Sequence, residues 1–240
     1  MRLACLQQRD RRAASLSALG GSVIYGDMVP TLGKTTTREQ DGVRLLMLLR
    51  HACDDKMPDD APPTAVAAIA GEQRLQAMDF WLRNPDYLAE ELLDFAQAGG
   101  DSTSIADARR ILYDEEPDLR TYPMLRYRHG AWERLDESLS LLTTYGLAKS
   151  IRRGEAQQGR RDFFLLEAGR AAADELPTRV PAVSWYAERA VLVRRVASSE
   201  GGTALKLRQK LQAEYLDTEW HDHIASIRPR VLARLEELGE

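Results

Sequence analysis

The fold of this chain is decided by residues 132–176, which read WERLDESLSLLTTYGLAKSIRRGEAQQGRRDFFLLEAGRAAADEL. Four apolar residues at the start of this stretch are spaced three, four and three positions apart, which places them on one stripe of a helix. They are Trp132, Leu135, Leu139 and Leu142. Gly146 ends the helix, because glycine readily adopts the left-handed conformation of a helix C-terminus. Two strand-like runs, 147–152 and 162–166, flank a polar tip and predict a β-hairpin, and a second helix starts at Ala168.

This order of helix, basic hairpin and helix resembles the recognition helix and wing of bacterial winged helix-turn-helix proteins. In those proteins a Gly-Leu pair ends the recognition helix, as Gly146-Leu147 does here, and a Glu-x-Gly-Arg pattern follows the second wing strand, as Glu167–Arg170 does. The resemblance covers the 45 residues quoted above. It implies a mainly α fold, namely a winged helix-turn-helix with additional N- and C-terminal helices.

The chain divides into four segments by pattern. Residues 1–37 show little periodicity and predict a weakly ordered arm. Residues 38–119 predict a helical N-terminal domain that opens on a capping box at Thr37, and a degenerate winged helix stays open as an alternative there. Residues 120–181 hold the predicted winged helix, and residues 182–240 predict a C-terminal helical region.

Charge is distributed unevenly along the chain. The whole sequence has 33 Lys and Arg against 37 Asp and Glu, a net of −4. Residues 38–119 carry 8 basic and 18 acidic residues, whereas residues 120–170 carry 10 basic and 6 acidic ones. A basic footprint for nucleic acid is therefore local and does not extend over the whole chain. No apolar run reaches the ~18 residues of a membrane helix, and Met1–Ala18 lacks the apolar core of a secretory signal, so we expect a cytoplasmic protein without a membrane partner.

The densest basic patch lies on the predicted wing, where cations would contact phosphate. The predicted DNA-binding residues are Lys149, Arg152, Arg153, Arg160 and Arg161. A second group predicted to contact DNA or a partner is Arg126, Arg128 and His129. The predicted recognition helix, residues 131–146, has a net charge of −2, and acidic groups are repelled by phosphate. Two interpretations stay open, a domain that binds DNA and a protein–protein module that keeps the fold.

A second resemblance lies in residues 75–89, which read LQAMDFWLRNPDYLA. This phrase resembles one found in the small middle component of bacterial ABC-ATPase three-component defence systems, the Lamassu-like group. There a winged-helix subunit accompanies a large SMC-like ATPase and an effector. The resemblance implies an accessory subunit in antiphage defence, which docks on the larger ATPase subunit and meets duplex DNA weakly or only within the complex.

The C-terminal helices carry more apolar residues than one small core can hold, which predicts an interface. The predicted partner-binding residues are Leu207, Leu211, Val231 and Leu235. An unlike partner, bound here or on the helix from Leu75 to Leu93, would make the chain an adaptor. The alternative is a winged-helix transcriptional regulator that dimerises through these helices and binds operator DNA.

The sequence shows no arrangement typical of an enzyme. Gly33-Lys34-Thr35 resembles the end of a phosphate-binding loop, but such a loop needs glycine at the position that Met28 occupies. His221 and His223 would point to different faces of a helix, without a cysteine nearby. We therefore expect no enzymatic activity, no catalytic residue, no metal and no cofactor.

Overall fold

A computed structural model describes residues 37–114, 124–127, 130–154 and 159–238 of this chain. The protein is mainly helical, as the sequence predicts, with a small three-stranded antiparallel sheet. Except for Thr37, the predicted arm at residues 1–37 lies outside the described residues.

The elements follow one another along the chain with mostly short connections. The described helices are α1 (Arg38–His51), α2 (Glu72–Arg83), α3 (Pro85–Gln97), α4 (Thr103–Tyr113), α5 (Asp136–Thr144), α6 (Glu167–Arg179), α7 (Ser184–Ala197), α8 (Gly202–Lys210), α9 (Ala213–Asp217) and α10 (Arg228–Glu237). The described strands are β1 (Ala65–Ile69), β2 (Arg126–Tyr127), β3 (Gly130–Ala131), β4 (Ala148–Arg153) and β5 (Arg160–Leu166).

The three-stranded sheet joins distant parts of the sequence. Its strand order is β1-β5-β4, and both pairings are antiparallel. The sequence pattern after Thr64 predicts helix, and this prediction is wrong at Ala65–Ile69, which forms β1. Three of its five residues are alanines, which favour helix in isolation, but pairing with β5 outweighs that local preference. Strands β2 and β3 form a separate two-stranded ladder.

Helix α1 lies at the centre of the core. It begins at the predicted capping box, where the Gln40 backbone N–H donates to Thr37 Oγ1 at 3.2 Å and the Thr37 N–H donates to Gln40 Oε1 at 2.9 Å. Its residues Leu45–Leu49 are almost completely buried. The helix packs against α5 on one side and α7 on another.

The helix and hairpin predicted from residues 132–176 are both present. Leu139 and Leu142 are buried, at 3% and 4% exposed, so the predicted register of α5 is confirmed. Gly146 has a φ of +66° and follows the helix, as expected. Trp132 differs from the prediction, because the helix starts only at Asp136 and this side chain remains 38% exposed in the preceding extended segment. Strands β4 and β5 form the β4–β5 hairpin.

The C-terminal helices close the same core. The Asp86 carboxylate on α3 accepts hydrogen bonds from Ser226 Oγ and the Ile227 backbone N–H, both at 2.7 Å, and so caps the start of α10. Val231 and Leu235 on α10 are completely buried. The segments predicted as 38–119, 120–181 and 182–240 therefore contribute to one continuous hydrophobic core.

Candidate functional site

The predicted wing cations all lie on the β4–β5 hairpin, where arginines face each other across the strands. Arg152 is paired in register with Arg161, and Arg153 with Arg160. Like charges directly opposite on a sheet are destabilising, so these residues need compensation from carboxylates or from a bound anion. Lys149 and Arg152 are exposed and have no ion pair within the described part of the chain.

A buried carboxylate compensates two of the hairpin arginines. Asp162 is completely buried, and its Oδ1 accepts the Gly71 backbone N–H at 3.0 Å and lies 2.8 Å from Arg160 Nε. Its Oδ2 lies 2.6 Å from Arg153 Nε. Arg153 also pairs with Asp60, and that hydrogen bond lowers the pKa of the Asp60 carboxyl below its ordinary value. The charges of Arg153 and Arg160 are thus balanced within the chain.

Arg161 connects the hairpin to the first turn of α5. Its Nη1 donates to Asp136 Oδ1 at 2.6 Å and its Nη2 donates to Ser150 Oγ at 3.2 Å. The guanidinium also lies over the Phe163 ring, 5.4 Å from its centroid. Of the five predicted cations, only Lys149 and Arg152 are left without a carboxylate partner among the described residues.

The exposed face of α5 is acidic and polar. It carries Asp136, Glu137, Ser140, Thr143 and Thr144, and the helix sequence contains neither lysine nor arginine. The hydroxyls of Thr143 and Thr144 donate to backbone carbonyls within the helix, both at 2.8 Å. Where a DNA-reading helix would meet a phosphate-rich groove, this face therefore presents Glu137, which has no ion pair among the described residues, and Asp136, which is bound by Arg161.

Buried ion pairs fix the segment that precedes α5. Arg44 Nε on α1 lies 2.7 Å from Asp79 Oδ1 on α2, and both side chains are almost fully buried. Glu133 pairs with Arg44 and Arg83, and burial lowers the pKa of Arg83 to about 10 with the Arg44 charge assisting. Gln76 binds the Glu133 backbone on both sides, donating to its O at 2.6 Å and accepting from its N–H at 3.1 Å. Removing one partner from such a network costs several kcal/mol.

The second predicted contact group is only partly described. Arg128 and His129 lie outside the described residues. Arg126 Nη1 donates to the backbone carbonyls of Leu216 and Thr218, so its guanidinium holds α9 and the segment after it in place. In this structure Arg126 stabilises the chain itself.

The predicted partner-binding residues separate into two pairs. Val231 and Leu235 are completely buried within the chain, so in this structure neither side chain is open to a partner. Leu207 and Leu211 on and just after α8 are 58% and 70% exposed. The helix α10 packs against α3 and α4, and the sequence pattern does not predict this contact.

Two further apolar side chains lie close to Leu207 and Leu211 in sequence. Leu216 is 52% exposed and Trp220 is 61% exposed. Trp220 lies in a turn after α9, a five-residue helix in which only Tyr215 is buried. Together the four side chains, Leu207, Leu211, Leu216 and Trp220, form what we call the C-terminal apolar surface.

The two helices under this surface are anchored at one residue. Lys206 Nζ on α8 donates to the Ala131 carbonyl, and the Ala131 backbone N–H donates to Tyr215 Oη on α9. Burial lowers the pKa of Lys206 to about 7 and raises that of Tyr215 to about 12. The two helices are thus bonded to the same residue, and they also contact each other.

Neither a metal centre nor a membrane segment is seen in the described residues. They contain no group of three or more His, Cys, Asp or Glu side chains placed to hold a metal ion. None of their helices is long and apolar enough to cross a membrane. Comparisons with protein-family models, with curated proteins and with solved structures gave no match.

Proposed function

We propose that this chain is a non-enzymatic accessory subunit, built on a winged helix-turn-helix plan, of a DNA-associated SMC-like ATPase complex in antiphage defence. The order α1, β1, α2, α5, β4 and β5, with the first strand beside the last, supports that plan. Helices α3 and α4 and the β2–β3 ladder then form an insertion between α2 and α5. On this proposal the complex works in the cytoplasm.

The main support for the proposal is that the exposed face of α5 is acidic and that most hairpin cations already form ion pairs within the chain. The helix that would read DNA exposes Asp136 and Glu137, and three of the five hairpin cations are held by carboxylates of the same chain. The phosphate term supplies most of the affinity of a DNA-binding domain. A domain whose cations are already neutralised is better suited to docking on another protein than to binding DNA alone.

The buried C-terminal helix argues against the alternative, a transcriptional regulator. Such a regulator would dimerise through the C-terminal helices, yet Val231 and Leu235 on α10 lie inside the chain's own core. Burying them again in a dimer would require α10 to leave α3 and α4. The accessory role needs no such rearrangement.

A weak contact with duplex DNA is compatible with the accessory role. Lys149 and Arg152 are exposed cations without an ion pair among the described residues. Two phosphate contacts give a low affinity and a shallow dependence on salt. Within the complex, such contacts would add to those of the larger ATPase subunit.

Affinity purification from the native host tests this proposal. We expect an SMC-like ATPase to co-purify with the tagged chain in a fixed ratio. Nuclease treatment and a wash at high salt serve as the control, because a direct protein complex survives both, whereas proteins bridged by DNA are lost. A tight symmetric dimer of this chain, with no ATPase bound, would contradict the proposal.

A further inference from the structure

The C-terminal apolar surface consists of large apolar side chains that the chain itself leaves exposed. Leu207 and Leu211 are one helical turn apart at the end of α8, and Leu216 and Trp220 follow on and after α9. All four are more than half exposed, while their neighbours Lys206 and Tyr215 are buried against Ala131. Large exposed apolar side chains grouped in one segment of a folded domain are typical of an interaction site, and tryptophan is enriched among residues that dominate binding energy.

The charges beside this surface are unequal. Asp217, Glu219 and Asp222 are exposed and have no ion pair among the residues that the structure describes. Two cations near this surface, Lys210 and Arg126, likewise have no carboxylate partner in that part of the chain, and the Arg126 guanidinium is bound by the backbone carbonyls of Leu216 and Thr218. The remaining charged side chains nearby are compensated, since Glu214 is bound by Arg230, and Arg208 by Glu91 and Glu200. Beside Trp220 the three carboxylates outnumber the one cation, Arg126, so the net charge of the described side chains there is negative.

We propose that the C-terminal apolar surface binds an amphipathic helix of another polypeptide. Its apolar stripe would cover the leucines and Trp220, and its lysines or arginines would face Asp217, Glu219 and Asp222. A groove partner of this kind is read through apolar anchors three or four residues apart, and opposite charges at the rim orient it. This inference rests on the proposed function in one respect, namely that the helix would belong to the ATPase subunit.

The same charges disfavour two other occupants. Duplex DNA would bring phosphates against three carboxylates. A second copy of this chain in a two-fold arrangement would present the same surface to itself. Both copies would then bring the same carboxylates to one interface, and like charges across an interface disfavour association.

Two synthetic peptides can test the surface without knowledge of the natural partner. Both are amphipathic helices with the same leucine stripe, and one has lysines on its polar face where the other has glutamates. We expect the lysine peptide to bind the whole chain at least tenfold more tightly than the glutamate peptide, measured by fluorescence anisotropy of labelled peptide. Equal affinity for the two peptides, or binding of neither, would overturn the proposal.

Substitutions show whether the peptide binds where we propose. Leu211→Asp should reduce the affinity for the lysine peptide at least tenfold, because it places a charge in the apolar stripe. The matched control is Val191→Asp on α7, an exposed apolar residue at 49% exposure, which should leave the affinity unchanged. The triple variant Asp217→Asn, Glu219→Gln and Asp222→Asn should weaken binding and remove most of its salt dependence. If Leu211→Asp and Val191→Asp bind the peptide equally well, the surface is not the site.

Purification of the same variants from the host separates this inference from the proposed function. If the ATPase co-purifies equally with Leu211→Asp and with the control Val191→Asp, the surface assignment is wrong and the accessory role stands. If no ATPase co-purifies with the parent chain but the peptide results hold, the accessory role is wrong and the surface assignment stands. A dimer of the parent chain that Leu211→Asp dissociates would identify a second copy as the occupant and overturn the inference.

Discussion

The β4–β5 hairpin and the C-terminal apolar surface differ in how far their side chains are already satisfied by the chain itself. The hairpin has the highest density of basic residues, yet Asp60, Asp136 and Asp162 neutralise three of its arginines. The C-terminal apolar surface has an ordinary composition, yet its apolar side chains are exposed and the carboxylates beside it lack ion pairs among the described residues. Capacity for binding thus follows from unsatisfied groups and not from the number of charges in a segment.

The largest effect is expected where the hairpin depends on its buried carboxylate. Asp162→Ala should lower the free energy of unfolding by about 3–5 kcal/mol, because it leaves Arg160 without a carboxylate, Arg153 with Asp60 alone and the Gly71 N–H without an acceptor. Urea denaturation measures the change. Asp136→Ala is the control, since that exposed partner of Arg161 should cost no more than ~1 kcal/mol. Similar losses for both variants would mean that the hairpin is not held by Asp162.

A pair of leucine substitutions contrasts buried with exposed positions. Leu139→Ala on α5 should cost about 2–5 kcal/mol, because it creates a cavity in the core. Leu207→Ala on the C-terminal apolar surface should change stability by less than ~0.5 kcal/mol, as exposed sites do. Thermal and urea unfolding of the two variants check this. A substantial loss of stability in Leu207→Ala would show that α8 packs this side chain against the chain itself.

The free energy of unfolding should depend on pH through two buried groups at α8, the helix under the C-terminal apolar surface. Burial raises the pKa of Glu91, which holds Arg208 on α8, to about 7, and it lowers the pKa of Lys206 on the same helix to about 7. As pH rises from 4.5 to 7, the folded chain keeps a proton on Glu91 that the unfolded chain has lost, so stability falls. As pH rises from 7 to 10.5, the unfolded chain keeps a proton on Lys206 that the folded chain has lost, so stability rises.

These two groups together predict a minimum of stability near pH 7, with slopes approaching ~1.4 kcal/mol per pH unit on either side. In a plot of unfolding free energy against pH, Glu91→Gln should flatten the slope below pH 7 (the acidic limb), and Lys206→Met should flatten the slope above pH 7 (the alkaline limb). Urea denaturation across the pH range measures both. Asp60→Asn on the loop that meets the hairpin should leave both limbs intact, because the pKa of that carboxyl lies below this range. Limbs that persist in the variants would assign the pH dependence to other groups.

A smaller effect is expected from the cations of the hairpin in DNA binding. Replacing Lys149 and Arg152, which have no ion pair among the described residues, with alanine should reduce the weak affinity for duplex DNA and lower the salt slope by ~0.9 for each phosphate that is no longer bound. Replacing the paired Arg160 and Arg161 should change both quantities less. Filter binding at several salt concentrations, with both double variants, measures this. A larger effect of the paired arginines would mean that DNA displaces their carboxylates.

How much of the fold could be predicted from the sequence depended on whether the signal was local. The capping box at Thr37, the leucine spacing of α5 and the stop at Gly146 are set by neighbouring residues, and all three were predicted correctly. Strand β1 was missed, because its conformation depends on pairing with β5, a strand far away along the chain.

The binding surfaces were predicted less well for a similar reason. The charges of the hairpin arginines are visible in the sequence, but their carboxylate partners Asp60 and Asp136 come from other elements. The burial of Val231 and the exposure of Trp220 depend on which helices pack nearby, and periodicity alone does not distinguish an internal face from a surface.

The central claim, that this chain is a protein-docking subunit and not a reader of DNA, is tested most directly by its own affinity for DNA. The measurement is a titration of the purified chain with duplex DNA of random and selected sequences at physiological salt. The acidic face of α5 and the paired arginines predict binding no tighter than micromolar, with little preference for sequence. Nanomolar binding to one selected sequence under the same conditions would contradict the claim.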